Sequence, residues 1–213
     1  MSRSGSSGVM KTMEREFELW LVRRMRAGDT AAFDEVHSEF NARLYNFLRR
    51  LSRSADVAED LLEETWLRFV SSGATLASET RLAPWLFTVA RNLYLSYCRS
   101  RGREQSYTSD VLLWPDERSP SPLEAAMSNE LQGGIEAALA ALPTTYREAL
   151  LLVGIERMRP AEAAAVCGIA PDAFRQRLSR ARALISRELK ASGLLEPIQE
   201  PSCDRRYDRR SSI

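Results

Sequence analysis

One periodicity runs through nearly every ordered stretch of this 213-residue chain, and it is that of the α-helix. Phe33, Val36, Phe40, Leu44, Phe47, Leu48 and Leu51 recur at steps of three and four behind the cap signal Gly28-Asp29, which predicts one long amphipathic helix. Ser54 can cap the next helix, where Val57, Leu61, Leu62, Thr65, Trp66, Phe69 and Val70 keep the same period until Ser71-Ser72-Gly73 ends it. Leu82, Trp85, Leu86, Val89, Leu93 and Tyr97 trace a third, whose Pro84 is tolerable only in the first turn. Strand signals are absent throughout, so the expected fold is all-α.

Between Glu104 and Pro122 the period fails, and Pro115, Pro120 and Pro122 stand among serines and acids. That composition predicts an interdomain linker, with Val111, Leu112, Leu113 and Trp114 as a segment docked on one of the domains. The expected organisation is a disordered N-terminus (1–13), a helical domain (14–103), an acidic Pro/Ser-containing linker (104–134), a smaller helical domain (135–190) and a disordered tail (191–213). The tail, rich in Pro, Arg, Asp and Ser, reads as solvated.

Several function classes lose their footing on composition. No apolar run approaches the roughly 18 residues that cross a bilayer, and the N-terminus lacks the apolar region of a signal peptide, so a cytoplasmic protein is expected. Cys98, Cys167 and Cys203 are far apart and His37 is the single histidine, so no metal site is expected; Cys98 and Cys167 read as small buried apolar groups and His37 as structural. No phosphate loop, nucleophile elbow or spaced acid pair is present, which points away from an enzyme and from any cofactor.

The net charge of +1 hides a segregation. Residues 56–83 hold six acids and two bases, residues 84–103 four bases and no acid, residues 104–135 six acids and one base, and residues 157–190 eight bases and three acids. Two basic blocks, each beside an acidic one, imply two polyanion contacts and a separate cationic partner.

The second basic block reads as a helix-turn-helix. Ala164 is small enough for a close helix crossing, Gly168 suits a left-handed turn, and Phe174 can plug the space between the helices. Ile169, Phe174, Leu178, Ala181 and Ile185 form the inner stripe of the second helix. Its other faces carry Arg175, Gln176, Arg177, Ser179, Arg180 and Arg182, donors suited to phosphates and to base edges in a major groove. The first basic block interleaves Trp85, Phe87, Tyr94 and Tyr97 with arginines. Rings stack unpaired bases while guanidiniums follow the backbone, so this block suits a single strand; packing alone would account for Trp85. Asn92 lies off the core stripe, and its amide can read a base edge.

These residues resemble a family. GDTAAFDEVHSEFNARLYNFLRRL, DVAEDLLEETWLRF and PWLFTVARNLYLSYCRSR stand in the order and spacing of region 2 of the extracytoplasmic-function (ECF) sigma factors of the sigma-70 family. LPTTYREALLLVGIERMRPAEAAAVCGIAPDAFRQRLSRARALISREL is similar to their region 4. The resemblance implies two small helical domains, a region 2 helix bundle and a region 4 helix-turn-helix, joined by a flexible linker. It further implies that Arg91, Asn92, Arg99, Arg101 and Arg103 meet the opened −10 element, with a flipped base beside Asn92 and the loop from Ala77 to Leu82 as its rim.

By the same resemblance Asp60, Leu61, Glu63, Glu64 and Trp66 dock on the coiled coil of the largest catalytic subunit of core RNA polymerase, and region 4 meets the flap. Arg175, Gln176, Arg177, Ser179 and Arg180 fall where the family reads −35 duplex. An anti-sigma factor clamping both regions is an expected partner. Glu63 stands where the family carries Gln, and Gln176 where it carries Ser. Two other readings stay open on residues alone: a freestanding helix-turn-helix regulator that binds duplex only, and a sigma-like decoy that sequesters a regulator.

Overall fold

The computed structural model describes residues 15–105 and 130–195. The expected disordered N-terminus, the Val111 to Trp114 segment and the tail beyond Leu195 lie outside the described residues. Every regular element among the described residues is helical, as the periodicity predicts.

The N-terminal half holds α1 (Arg15–Arg26), α2 (Thr30–Ser52), α3 (Ala55–Ser72), a 3-10 turn (Gly73–Thr75) and α4 (Leu82–Gln105). The Asp29 carboxylate accepts from the Ala31 N–H at 2.9 Å and Ser54 Oγ from the Val57 N–H at 3.5 Å, so both predicted caps satisfy an otherwise orphaned helix donor. Helix α1 carries no clean apolar period, although its buried Glu18, Leu21, Val22 and Met25 fall at steps of three and one that define a helix face. The acid at the first of these positions breaks the apolar pattern.

Phe69 centres the bundle. Its ring lies 5.5 Å from Phe33, 5.7 Å from Trp66 and 5.8 Å from Trp85, while Phe47 meets Phe87 edge-on at 5.0 Å. Such pairs add to area burial because the positive edge of one ring meets the negative face of another. Where α3 turns back, a Cβ on Gly73 would lie 2.4 Å from Phe33 Cζ, so only glycine lets that ring close the corner without moving. Val70, expected on the inner stripe, is instead 63% exposed. Ala58, Leu61, Thr65 and Phe69 already form the buried row, and the next residue is rotated roughly 100° away from it.

The C-terminal half holds α5 (Glu130–Ala141), α6 (Thr144–Leu150), a π-helical turn (Leu151–Ile155), α7 (Pro160–Cys167) and α8 (Pro171–Ala191). Helix therefore occupies 104–105 and 130–134, positions expected to belong to the linker. Gly168 takes φ 65°, and the Ile169 N–H donates back to the Ala164 carbonyl at 3.1 Å while the Gly168 N–H donates to Ala165 at 3.1 Å, which ends α7 in a Schellman turn. Phe174, fully buried, fills the gap between α7 and α8. Burial, reinforced by the nearby Glu148 carboxylate, pushes the Cys167 thiol up to about 12, so it stays protonated and serves as packing. Cys98 is only half-buried, since its position on α4 sits at the edge of the stripe.

The two halves pack together, α7 on α4 and α6 on α2. At the centre of this contact Arg147 is 3% exposed. Its Nε donates to the Leu139 carbonyl at 3.0 Å, and its Nη2 to Ala140 at 2.9 Å and Leu142 at 3.0 Å. Its Nη1 reaches across to the Arg50 and Leu51 carbonyls at 3.0 and 3.3 Å. One guanidinium thus supplies donors to the C-terminal ends of α5 and α2, where helix carbonyls lack partners and the dipole favours a cation.

Arg147→Lys keeps the charge but lacks the planar fork, and it should lower stability by about 2 kcal/mol or more, seen as an earlier urea midpoint. A second expectation concerns Asp29, whose carboxyl is held below its ordinary value of 3.8 chiefly by the Arg24 guanidinium, with the Ala31 N–H adding to it. A lowered carboxyl stabilises the fold above its unfolded value and loses that contribution as pH falls through the folded one. Asp29→Asn, which keeps a cap acceptor, should be less stable than wild type at neutral pH, with urea midpoints drawing together as pH falls below the ordinary carboxyl range.

Candidate nucleic-acid interface

The core side of α4 consists of Leu86, Phe87, Ala90, Leu93 and Tyr94. Its outer side therefore shows Asn92, Ser96 and Arg99 at helical steps, whereas Arg101, also exposed, lies two residues past Arg99 and about half a turn round the helix from it. Arg101 Nη1 donates to Tyr97 Oη at 2.7 Å, with the guanidinium carbon 5.7 Å from the Tyr97 ring, so a ring and a cation are held side by side at the end of the helix. Arg99 Nε donates to the Leu95 carbonyl at 3.3 Å. The side chain of Arg103 lies outside the described residues. Trp85 is half-buried against Phe69, which makes it packing.

Arg91 does not share that outer face. It is bonded to Glu148 of α6, and the two side chains are 15% and 6% exposed. On α8, Arg175, Gln176, Ser179 and Arg180 form one exposed face opposite Phe174, Leu178 and Ala181. Arg175 pairs with Asp172 one turn back, both well exposed, an arrangement that water screens to little net effect. Arg177 turns away from this face. Its side chain is 23% exposed, with Nη1 3.8 Å from the other Glu148 oxygen. A carboxylate this deeply buried without cations would be costly, and that cost is met by drawing in one arginine from each half.

Three further arginines of the N-terminal half reach glutamates of the C-terminal half. Arg50 meets Glu136 at 2.6 Å, Arg43 meets Glu156 at 3.0 Å and Arg81 meets Glu162 at 2.6 Å. Burial pushes the Glu156 carboxyl upward, with Arg43 opposing. Its share of the stability is therefore full below the ordinary value of 4.5 and is lost as pH rises through the raised one.

On α3, Asp60 and Glu63 are exposed and Glu64 Oε1 takes a hydrogen bond from Arg68 at 2.9 Å. Leu61, expected to offer apolar contact to a partner, is 8% exposed and belongs to the core row. Trp66 is half-buried. Its Nε1 donates to Asn41 Oδ1 at 3.0 Å and its ring lies 4.7 Å from that of His37, so the single histidine, itself exposed, lies against the tryptophan ring. The apolar groups that α3 does present are Leu67, 66% exposed, and Val70, 63% exposed. They continue the Asp60 and Glu63 stripe at steps of four and three, a pattern that the sequence carries although the reading assigned Val70 to the core.

Among the described residues no group of three or more His, Cys, Asp or Glu is placed to hold a metal ion. No helix among them is long and apolar enough to cross a membrane.

The family model for sigma-70 region 2 matches residues 36–104 and that for sigma-70 region 4 matches residues 132–185, more than half of the chain between them. The ECF RNA polymerase sigma factor EcfG of Rhodopseudomonas palustris is 36% identical over 152 residues, covering 69% of this chain and 79% of its own. SigM of Bacillus subtilis is 30% identical over 150 residues, 70% of this chain and 90% of its own. Among solved structures, the sigma factor RpoE of Bartonella quintana, determined with the anti-sigma factor NepR, is 29% identical with a TM-score of 0.59, covering 74% of this chain and 96% of that one. CnrH, determined with the cytosolic domain of CnrY, shares the fold at 24% identity and a TM-score of 0.62, covering 82% of this chain and 97% of that one. With regions 2 and 4 matched in order and relatives of this identity along most of their length, the chain belongs to the ECF RNA polymerase sigma factors of the sigma-70 family.

Proposed function

We propose that the protein is an alternative sigma factor that binds core RNA polymerase in the cytoplasm, recognises −35 and −10 promoter elements, assists strand opening and starts transcription without catalysing polymerisation. The observation that carries this reading is the pair of separate polar faces, Asn92 with Ser96 and Arg99 on α4, and Arg175, Gln176, Ser179 and Arg180 on α8, within one member of this family. The α8 face has the donors for a major groove, and α4 offers an amide and a cation on one face, with the Tyr97 ring and Arg101 round the helix near its end, as opened strands require. The carboxylates of Asp60, Glu63 and Glu64 beside Leu67 and Val70 fit a docking surface for a cationic partner helix on core polymerase.

The packed arrangement serves as a resting form. The −35 and −10 labels differ by 25 base pairs, about 85 Å at 3.4 Å each, whereas Arg91 and Arg177 here reach the same carboxylate. Promoter binding at both elements therefore requires the halves to part. An anti-sigma factor, the class of partner found with the Bartonella relative, would act by holding them away from polymerase and DNA.

Run-off transcription with bacterial core polymerase on a template library randomised across both elements tests the reading. Wild type should select a −35 and a −10 sequence; Arg175→Ala should blunt selection at −35 and Asn92→Ala at −10, each by roughly tenfold. A protein that retains duplex DNA but yields no transcript with core enzyme is a freestanding regulator. In a pull-down, Leu67→Ala with Val70→Ala should weaken core polymerase binding by about tenfold while leaving the thermal midpoint unchanged, since neither side chain packs in the core.

A further inference from the structure

Glu18 is an acid 2% exposed, in a helix that the region 2 family model, which begins at residue 36, does not include. Ionised side chains are almost never buried to this degree unless a partner holds them. The partner is Arg81, whose Nε donates to Glu18 Oε2 at 2.9 Å, and Arg81 is the last residue of the loop leading into α4. Arg15, one turn before Glu18, lies 3.7 Å from the same oxygen and continues onto that loop, donating to the carbonyls of Glu79 at 2.7 Å and Thr80 at 3.5 Å.

The loop has few other restraints. Leu76 is buried at its start and the Thr80 N–H closes a turn on the Ala77 carbonyl at 3.0 Å, but Ala77, Ser78 and Glu79 are exposed. Exposed loops with few internal hydrogen bonds open locally at low free energy, so an external clamp decides where such a segment sits. Glu162 of α7 also takes a hydrogen bond from Arg81, at 2.6 Å, and is itself oriented by the Arg159 N–H at 3.1 Å. That link belongs to the C-terminal half and is lost when the halves part, whereas the α1 link remains. The Glu18 carboxylate is therefore the anchor that persists in the promoter-bound form.

We propose that Arg15 and Glu18 of α1 are positioning residues for the loop at 77–81, and that through it they set the base preference at the −10 element. The proposal rests on the sigma reading above, in which that loop rims the flipped base beside Asn92. Neither residue touches DNA; they hold the backbone and the Arg81 side chain in one place, and discrimination between bases depends on a rim held within a few tenths of an ångström.

The test is run-off transcription by the full chain with bacterial core polymerase on two libraries, one randomised at −10 and one at −35, for wild type, Arg15→Ala, Arg15→Lys and Glu18→Gln. Arg15 is exposed, so Arg15→Ala folds even if Glu18→Gln does not; circular dichroism and a core polymerase pull-down establish this. The expected result is a flattening of base preference at −10 by roughly three- to tenfold in Arg15→Ala, with −35 preference and core binding as in wild type and partial recovery in Arg15→Lys, which keeps one donor. An unchanged −10 preference, or an equal loss across every −10 and −35 sequence, overturns the proposal. If wild type selects no sequence in either library, the sigma reading fails first and takes this inference with it.

Discussion

Arg147 is the group on which the joined form of the molecule turns. Two helices that end near one another, α5 in one half and α2 in the other, bring together carbonyls that have no helical partner and the negative ends of two dipoles. A hydrophobic residue there would leave those oxygens buried and dry. A guanidinium satisfies both helix ends at once, and its five donors match acceptors spread over Leu139, Ala140, Leu142, Arg50 and Leu51. The Arg43, Arg50, Arg81 and Arg91 pairs lie around this centre, and their geometry depends on the register that it sets.

What surrounds Arg147 is polar to an unusual degree for an internal contact. Arginines come from the N-terminal half and glutamates from the other in all four flanking pairs. Charged pairs of this kind favour quick association, but one apolar cluster also runs through both halves, so parting them exposes apolar surface as well as charge.

Much of this was legible in the residues, for reasons that differ by element. The α2 stripe, both caps, Pro84 in the first turn of α4 and Gly168 in its left-handed turn were readable because each rests on local geometry, and local geometry is what spacing encodes. The misplaced apolar residues concern which way a side chain faces when two such residues adjoin. Leu61 and Val70 were read from runs in which adjacent residues share the helical pattern, and the choice of row is made by packing against α2 and α4. Arg91 and Arg177 were read as free cations because their partner, Glu148, lies 57 and 29 positions away in the chain, and such pairings leave no periodic trace.

Glu148 has one further consequence, of a thermodynamic kind. The Glu148 carboxylate carries one negative charge, which Arg91 alone balances, and Arg177 brings a second cation that repels the first. Loss of either arginine therefore leaves the other held more tightly, and by linkage the effect is reciprocal. A seam built on a shared carboxylate can thus give up one arginine without stranding the buried acid.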